Sequence, residues 1–294
     1  MINRMKFHKI EKTNFILWAK AQEASGNTDD WVFETKEDGD WTLMEIKDKR
    51  IQLFNPRGAN VTEKYPEFNG EYDFPDMTII GEMCVFIDGV SNFNDGITHR
   101  THLKDSWKIQ NAVVEYPVTF VGFDLLKLDD IDYRNKAYKE RKGLLDTIDL
   151  PSGINNLEVV KSTPLSTLIK LVDEHKEDGK ILWKMIMNGG EGFIMKNLNS
   201  IYEEGKRVKT SLKLKDVQET DLWFTKYHDQ PRGVVLENDN EIRVNVNGEK
   251  ADEIKEIFSK QQKVFVTIRH LGPQLKSGKF RQPTFMKTVL EGGL

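Results

Sequence analysis

The sequence predicts an α+β fold, an antiparallel sheet-rich segment followed by a small β-barrel. Three observations carry this. Short runs of alternating apolar and polar residues, divided by turn residues, recur from Trp31 to about Leu126. Two helix-forming stretches then interrupt the strands, at 133–146 and from Thr163 onward. After a boundary near Asp216–Asp221 the chain returns to short strands with one helix among them. A long alternating region with segregated helices is the mark of an α+β layer architecture, and the tail has the strand count of a small barrel.

Residues 1–30 read as an irregular or partly helical lead-in. The strands of the first part are "WVFETK", "WTLMEI", "IQLFN", "TIIGEMCVFID" and "VTFVGFDLL". "YRNKAYKERKGLLD" is charged and helix-forming, with Tyr138, Leu144 and Leu145 as anchors. "TPLSTLIKLVDEHKEDG" predicts a second helix, capped by Thr163 with Pro164 in its first turn. Strands resume with "EGFIMKN" and "SLKLK". The tail contributes "RGVVLEN", "EIRVNVNG" and "KVFVTIRHL", and the helix "KADEIKEIFSKQ" between them.

Bulk properties exclude several classes. The 294 residues suffice for one large or two ordinary domains, and 31% charged against 38% hydrophobic is a globular composition. The single cysteine, Cys84, leaves no intrachain disulfide and no cysteine-rich zinc site, which suits a reducing cytoplasm. "MINRMKFHKIEKTNF" lacks the apolar run of a signal peptide, and no stretch of about 18 apolar residues predicts a membrane span. The expectation is a cytoplasmic monomer without membrane contact. A net charge of -4 rules out a uniformly basic coat for nucleic acid but leaves room for local patches.

Charged residues on strand faces mark the candidate site. Alternation puts Val32, Glu34 and Lys36 on one face and Trp31, Phe33 and Thr35 on the other. Asp38-Gly39 signals a turn, so this stretch predicts a hairpin with Glu34 and Lys36 beside its tip. Glu82 shares a face with Thr78, Ile80, Cys84 and Phe86, where a carboxylate is costly unless satisfied. Glu191 lies with Phe193 and Met195, and Lys213 with Lys215 opposite Leu212 and Leu214. Each feature alone has a plain structural explanation, a surface ion pair or an edge guarded by lysines. Together, two isolated carboxylates and three lysines on strands suit a metal-bound polyphosphate.

These segments, in this order, resemble the nucleotidyltransferase motifs of ATP-dependent DNA ligases. "KEDG" at 36–39 matches the lysine-x-Asp-Gly motif. "LFNPRGANVTEKYPEF", "GEMCVF", "FVGFDLLKLDDIDYRNKAYKERKGLL", "EGFIMK", "LKLK" and "SGKFRQPTFMK" follow as in that family. A lone KxDG is weak; the ordered series is specific. The resemblance implies a nucleotidyltransferase (ATP-grasp-like) domain at 1–216 and an OB-fold domain at 217–294. It implies ATP and Mg²⁺ as cofactors and nicked double-stranded DNA as partner, with roles in repair, replication and recombination. Lys36 becomes the nucleophile on the α-phosphorus. Glu82 and Glu191 become Mg²⁺ ligands, Lys213 and Lys215 hold phosphates, Glu34 meets the adenine edge, and Phe123 stacks on the ring. Arg57 contacts nucleotide or nick phosphate, and Lys206, Arg207, Lys279 and Arg281 contact DNA.

Charge supports the last group. Residues 206–215 hold five basic residues and no acidic one, and Ile257–Leu290 holds seven Lys/Arg and no Asp or Glu. The chain departs from the family pattern at four places. Trp41 stands where many ligases have an arginine, Pro56 precedes Arg57 where an arginine is common, Ser211 replaces a tryptophan, and "FMKTVLEGGL" lacks a basic RxDK ending. The alternatives are an RNA ligase or another polynucleotide nucleotidyltransferase, such as a capping guanylyltransferase, and a silent nucleic-acid-binding relative.

Overall fold

In the computed structural model, residues 2–12, 14–148, 156–174, 192–271 and 278–289 are described. They divide into two units, Met1–Ile10 with Phe15–Leu214, and Glu11–Asn14 with Lys215–Leu294.

The first unit holds β1 (Lys6–Lys12, which runs on into the second), α1 (Asn14–Ser25), β2 (Trp31–Thr35), β3 (Asp40–Lys47), β4 (Arg50–Phe54), β5 (Met77–Ile87) and β6 (Val90–Ser91). It continues with α2 (Thr98–Thr101), α3 (Ser106–Glu115), β7 (Val118–Leu128), β8 (Ile131–Asp132), α4 (Tyr138–Thr147) and β9 (Leu157–Val159). It closes with β10 (Thr163–Pro164), α5 (Leu165–Glu174), β11 (Phe193–Asn197) and the start of β12 (Arg207–Phe224).

Two sheets result. One runs β4-β3-β5-β7-β8, with β6 on β5 and β9 parallel to β7; in the other, β10-β2-β11-β12 are antiparallel neighbours and β1 pairs β12. Alternation explains how each sheet is covered. On β5, Met77, Ile79, Met83 and Val85 enter the main core with Phe120, Leu125 and Leu145. Ile80 points the other way, to Trp41, Leu43 and Leu126. In the second sheet Trp31, Phe193, Met195, Leu212 and Leu214 pack with Leu165 and Leu168 of α5. That leaves the face of Glu34, Ile194 and Lys213 for other work.

Four expectations change. First, β2 and β3 do not form a hairpin. They belong to different sheets, and Lys36–Gly39 crosses from one to the other. Gly39 is needed for closeness: a Cβ there would lie 2.2 Å from the Met83 carbonyl oxygen. Second, the lead-in contains a strand, β1, whose partner lies some two hundred positions on. Third, Thr163 and Pro164 pair with Phe33 and Val32 instead of capping α5. Fourth, α3 interrupts the strand-rich region, and α4 begins at Tyr138, with the buried Tyr138 and Leu145 as its anchors.

The second unit holds the rest of β12, β13 (Lys226–Gln230), β14 (Gly233–Glu237), β15 (Arg243–Asn247), α6 (Glu249–Lys260), β16 (Val264–Leu271) and β17 (Arg281–Thr288). β12 pairs β16, β16 pairs β17, and β13-β14-β15 form a separate meander. Phe224, Leu236, Val244, Ile254 and Val266 share one core. The expected barrel does not close among the described residues, because no ladder joins the two strand groups. Register shifts between Thr267 and Ile268 and between Arg269 and Leu271 break the regular ladder of β16 with β17. Among the described residues no helix is long and apolar enough to cross a membrane.

Candidate active site

A pocket lies between the two sheets of the first unit. Glu34, Ile194 and Lys213 line it from one sheet, where they sit side by side in the ladder. Glu82, Val121 and Phe123 line it from the other. Lys36 enters from the crossing segment, its amide donating to the Gly192 carbonyl at 2.9 Å. Asp38 fixes that segment: its amide donates to Ser91 Oγ at 2.9 Å, and its carboxylate accepts from the Phe93 amide at 3.1 Å. The crossing thus has little freedom, and the lysine is delivered to one place.

Phe123 reaches the pocket through a β-bulge. Gly81 pairs with Gly122 and Ile80 with Asp124, so Phe123 is the extra residue of β7. Bulges re-aim side chains in this way. The freed Phe123 carbonyl accepts from Lys196 Nζ at 3.0 Å, with the Tyr138 hydroxyl oxygen 3.3 Å away. Behind the bulge Arg141 grips Asp124 through two bonds of 2.8 Å and also donates to the Lys136 and Ser200 carbonyls. This buried fork ties β7 to α4.

Glu34 is buried. It accepts from Lys196 Nζ at 2.8 Å, from Ser162 Oγ at 2.7 Å and from the Tyr138 hydroxyl. Burial beside this carboxylate pushes the Tyr138 hydroxyl well above its ordinary value, so it stays a donor. The Lys196 ammonium also lies over the Tyr138 and Phe123 rings, at 4.4 and 4.8 Å.

Glu82 is the electrostatic centre of the other wall. Burial raises its pKa to about 7, with Asp40 adding to the rise; Lys36, Arg4 and Lys213 pull it back. Trp41 is its cross-strand neighbour. The nearby Glu37 is also raised, by burial first and by Glu158, against a hydrogen bond from Ser91.

Five sequence-predicted residues, Glu34, Lys36, Glu82, Phe123 and Lys213, therefore share one pocket. Glu191 lies outside the described residues. Lys215 is buried and opens the second unit. Arg57 is in an exposed turn, its amide bonded to Asn55 Oδ1 at 2.9 Å, and is not in the pocket wall. Lys206 pairs with Glu203 at 3.1 Å, and Arg207 donates to the Phe7 carbonyl at 3.1 Å. In the second unit Lys279 pairs with Glu241 at 3.4 Å, and Arg281 begins β17. Sequence reasoning missed Arg4, Phe7, Lys196 and Tyr138. Lys196 could have been found, since it shares a strand face with Ile194 opposite the apolar Phe193 and Met195.

Among the described residues no group of three acidic, histidine or cysteine side chains could hold a metal. Mg²⁺ characteristically takes one or two carboxylates and completes its shell with water and substrate phosphates. One pocket carboxylate, Glu82, held near cations that attract phosphate, fits that habit.

Two antiparallel sheets, with a Lys-x-Asp-Gly segment crossing between them into the pocket they line, are followed by a second strand-rich unit. The chain belongs to the ATP-dependent DNA ligase domain family, whose family model matches residues 16–215. It is 30% identical over 189 residues to a DNA ligase of Sulfurisphaera tokodaii and 29% identical over 198 residues to one of Saccharolobus islandicus. Each alignment covers 63% of this chain but 30% of the relative, so the chain spans less than a third of their length. Among solved structures, a study of Lig E DNA ligases provides a fold likeness at TM-score 0.62 and 14% identity, covering 97% of this chain and all of that one. The ligase domain of LigD from M. tuberculosis gives TM-score 0.51 at 19% identity, covering 98% and 95%.

Proposed function

We propose that this chain is an ATP-dependent DNA ligase that seals 5′-phosphate/3′-hydroxyl nicks in duplex DNA. The observation that carries the reading is the delivery of Lys36 into the same pocket as Glu82, Lys213 and Phe123. In the first step Lys36 Nζ attacks the α-phosphorus of ATP, and pyrophosphate leaves. An oxygen of the DNA 5′-phosphate then attacks the AMP phosphorus and releases Lys36. The 3′-hydroxyl attacks the activated 5′-phosphorus, a new phosphodiester forms, and AMP departs.

Lysine attacks as the neutral amine; Lys36 lines one pocket with Lys213, Arg4 and Glu82. Lys213 and Lys215 hold phosphates, Phe123 stacks on adenine, and Glu34 forms the adenine end. Mg²⁺ held by Glu82, with Glu191, offsets phosphate charge when bound. In this reading residues 1–216 are the adenylation domain and 217–294 an OB-like domain. Arg57, Lys206, Arg207, Lys279 and Arg281 contact phosphates of the nicked duplex. The chain works as a cytoplasmic monomer.

Incubation with α-labelled ATP and Mg²⁺, beside Lys36→Ala, tests the first step. Label on the parent alone, discharged by nicked DNA with sealing, is expected. Discharge by a nicked RNA duplex instead would turn the reading to an RNA ligase, and no label on AMP-free protein would overturn it.

A further inference from the structure

Arg4 lies in the short segment before β1 and lines the pocket together with Lys36, Glu82 and Lys213. Its guanidinium carbon stands 5.9 Å from the centre of the Trp41 ring, within cation–π range. Trp41 in turn is the cross-strand neighbour of Glu82, so the ring that carries the guanidinium sits beside the pocket carboxylate. Among the described residues the Arg4 guanidinium makes no hydrogen bond or ion pair. A second, smaller cavity bounded by Arg4, Met5, Trp41 and Tyr202 lies against the same side chain.

A half-buried guanidinium carries five donors, and leaving them without acceptors is costly. Most arginines of this unit solve that problem internally. Arg100 binds both oxygens of Glu67 and two carbonyls, and Arg141 binds Asp124. Arg4 instead lines a space that Lys36 and Lys213 also line. The pocket is lined by four cations, Arg4, Lys36, Lys196 and Lys213, and three carboxylates, Glu34, Glu37 and Glu82. Lys196 is paired with Glu34, which leaves three cations against Glu37 and Glu82, a balance that suits a polyanion. Arginine suits phosphate because its fork can meet two oxygens at once.

We propose that Arg4, held on the Trp41 face, grips the phosphates of the bound nucleotide. It is a binding residue supplied from outside the Lys-x-Asp-Gly segment. The inference rests on the nucleotide reading of the pocket. It also gives Trp41 a task, although the sequence pattern leads one to expect an arginine there.

The test is titration in the Lys36→Ala background, which cannot become adenylated. ATP binding is read by calorimetry and adenosine binding by ligand-observed NMR, with and without Arg4→Met and Arg4→Lys. A charge-assisted contact corresponds to roughly a tenfold or greater loss. Arg4→Met is expected to weaken ATP by about that factor and adenosine by less than about twofold, with Arg4→Lys in between. Equal weakening of both ligands would make Arg4 a structural residue and overturn the proposal. Unchanged ATP binding would also overturn it. If the Lys36→Ala parent itself binds no ATP, the nucleotide reading fails, which is distinct from a bound ATP indifferent to Arg4.

Discussion

Lys196 Nζ lies 2.8 Å from Glu34 Oε2, with both side chains buried in the pocket wall. The pair links β11 to β2, and through Tyr138 and the Phe123 carbonyl it reaches α4 and β7. Breaking a buried pair by removing one partner strands the other charge, at a cost of about 3–5 kcal/mol. Lys196→Met should lower stability by that order in urea unfolding. Glu34→Gln with Lys196→Met should cost less than the sum of the two single changes. A Lys196→Met protein within about 1 kcal/mol of the parent would show that the pair is not a structural strut.

Gly39 and Gly143 make opposite predictions. A Cβ at Gly39 would meet the Met83 carbonyl oxygen at 2.2 Å and Cys84 Sγ at 2.9 Å. Backbone cannot yield as a side-chain tip can, so Gly39→Ala should cost about 1–3 kcal/mol. It should also displace the segment carrying Lys36 and slow lysine labelling by roughly a hundredfold. Gly143 lies exposed within α4 with nothing within 4 Å of a new Cβ. Gly143→Ala should stabilise by about 0.5–1 kcal/mol and leave labelling unchanged. Equal labelling by both variants would separate Gly39 from the chemistry.

Glu82 gives the protein a pH-dependent stability. Burial holds its pKa at about 7 in the folded chain against an ordinary 4.5. The native state therefore binds this proton more tightly than the unfolded chain. The resulting stabilisation is fully present below pH 4.5 and is lost as pH rises through about 7. Its full extent is on the order of 3 kcal/mol. Without nucleotide or metal, the melting temperature of the parent should fall relative to Glu82→Gln between pH 5 and 8, values set by that window. Parallel melting curves for the two proteins across the window would contradict the assignment.

The site's faces were legible because alternation is local. The Leu212 and Leu214 side of β12 and the Trp31 and Phe33 side of β2 could be read as core, which left Glu34 and Lys213 facing elsewhere. The crossing at Lys36–Gly39 was not legible, since an Asp-Gly pair looks alike whether the next strand returns to the same sheet or enters another. Nor was β1, whose pairing depends on a strand far along the chain. The role of Arg4 was hidden for the same reason: nothing near it in sequence says that Trp41 and Glu82 will be its neighbours. Phe123 was identified through family resemblance, but its bulge depends on register against Gly81, which no single strand reveals.

Phe123 permits a test that separates packing from recognition. Its ring is partly buried, packs beside Val121 and Val160, and has the Lys196 ammonium 4.8 Å from its centre. If it only fills space, Phe123→Leu should cost under about 1.5 kcal/mol and leave nucleotide use intact. If it stacks on adenine, the flat face matters, because base–aromatic stacking contributes about 1–3 kcal/mol. Phe123→Leu should then raise the KM for ATP in lysine labelling by roughly tenfold with the folded protein nearly as stable. Phe123→Tyr, which keeps the ring, should stay within about twofold of the parent. A Phe123→Leu protein with parental KM would return this residue to the core and leave the Glu34 end of the pocket to recognise the base alone.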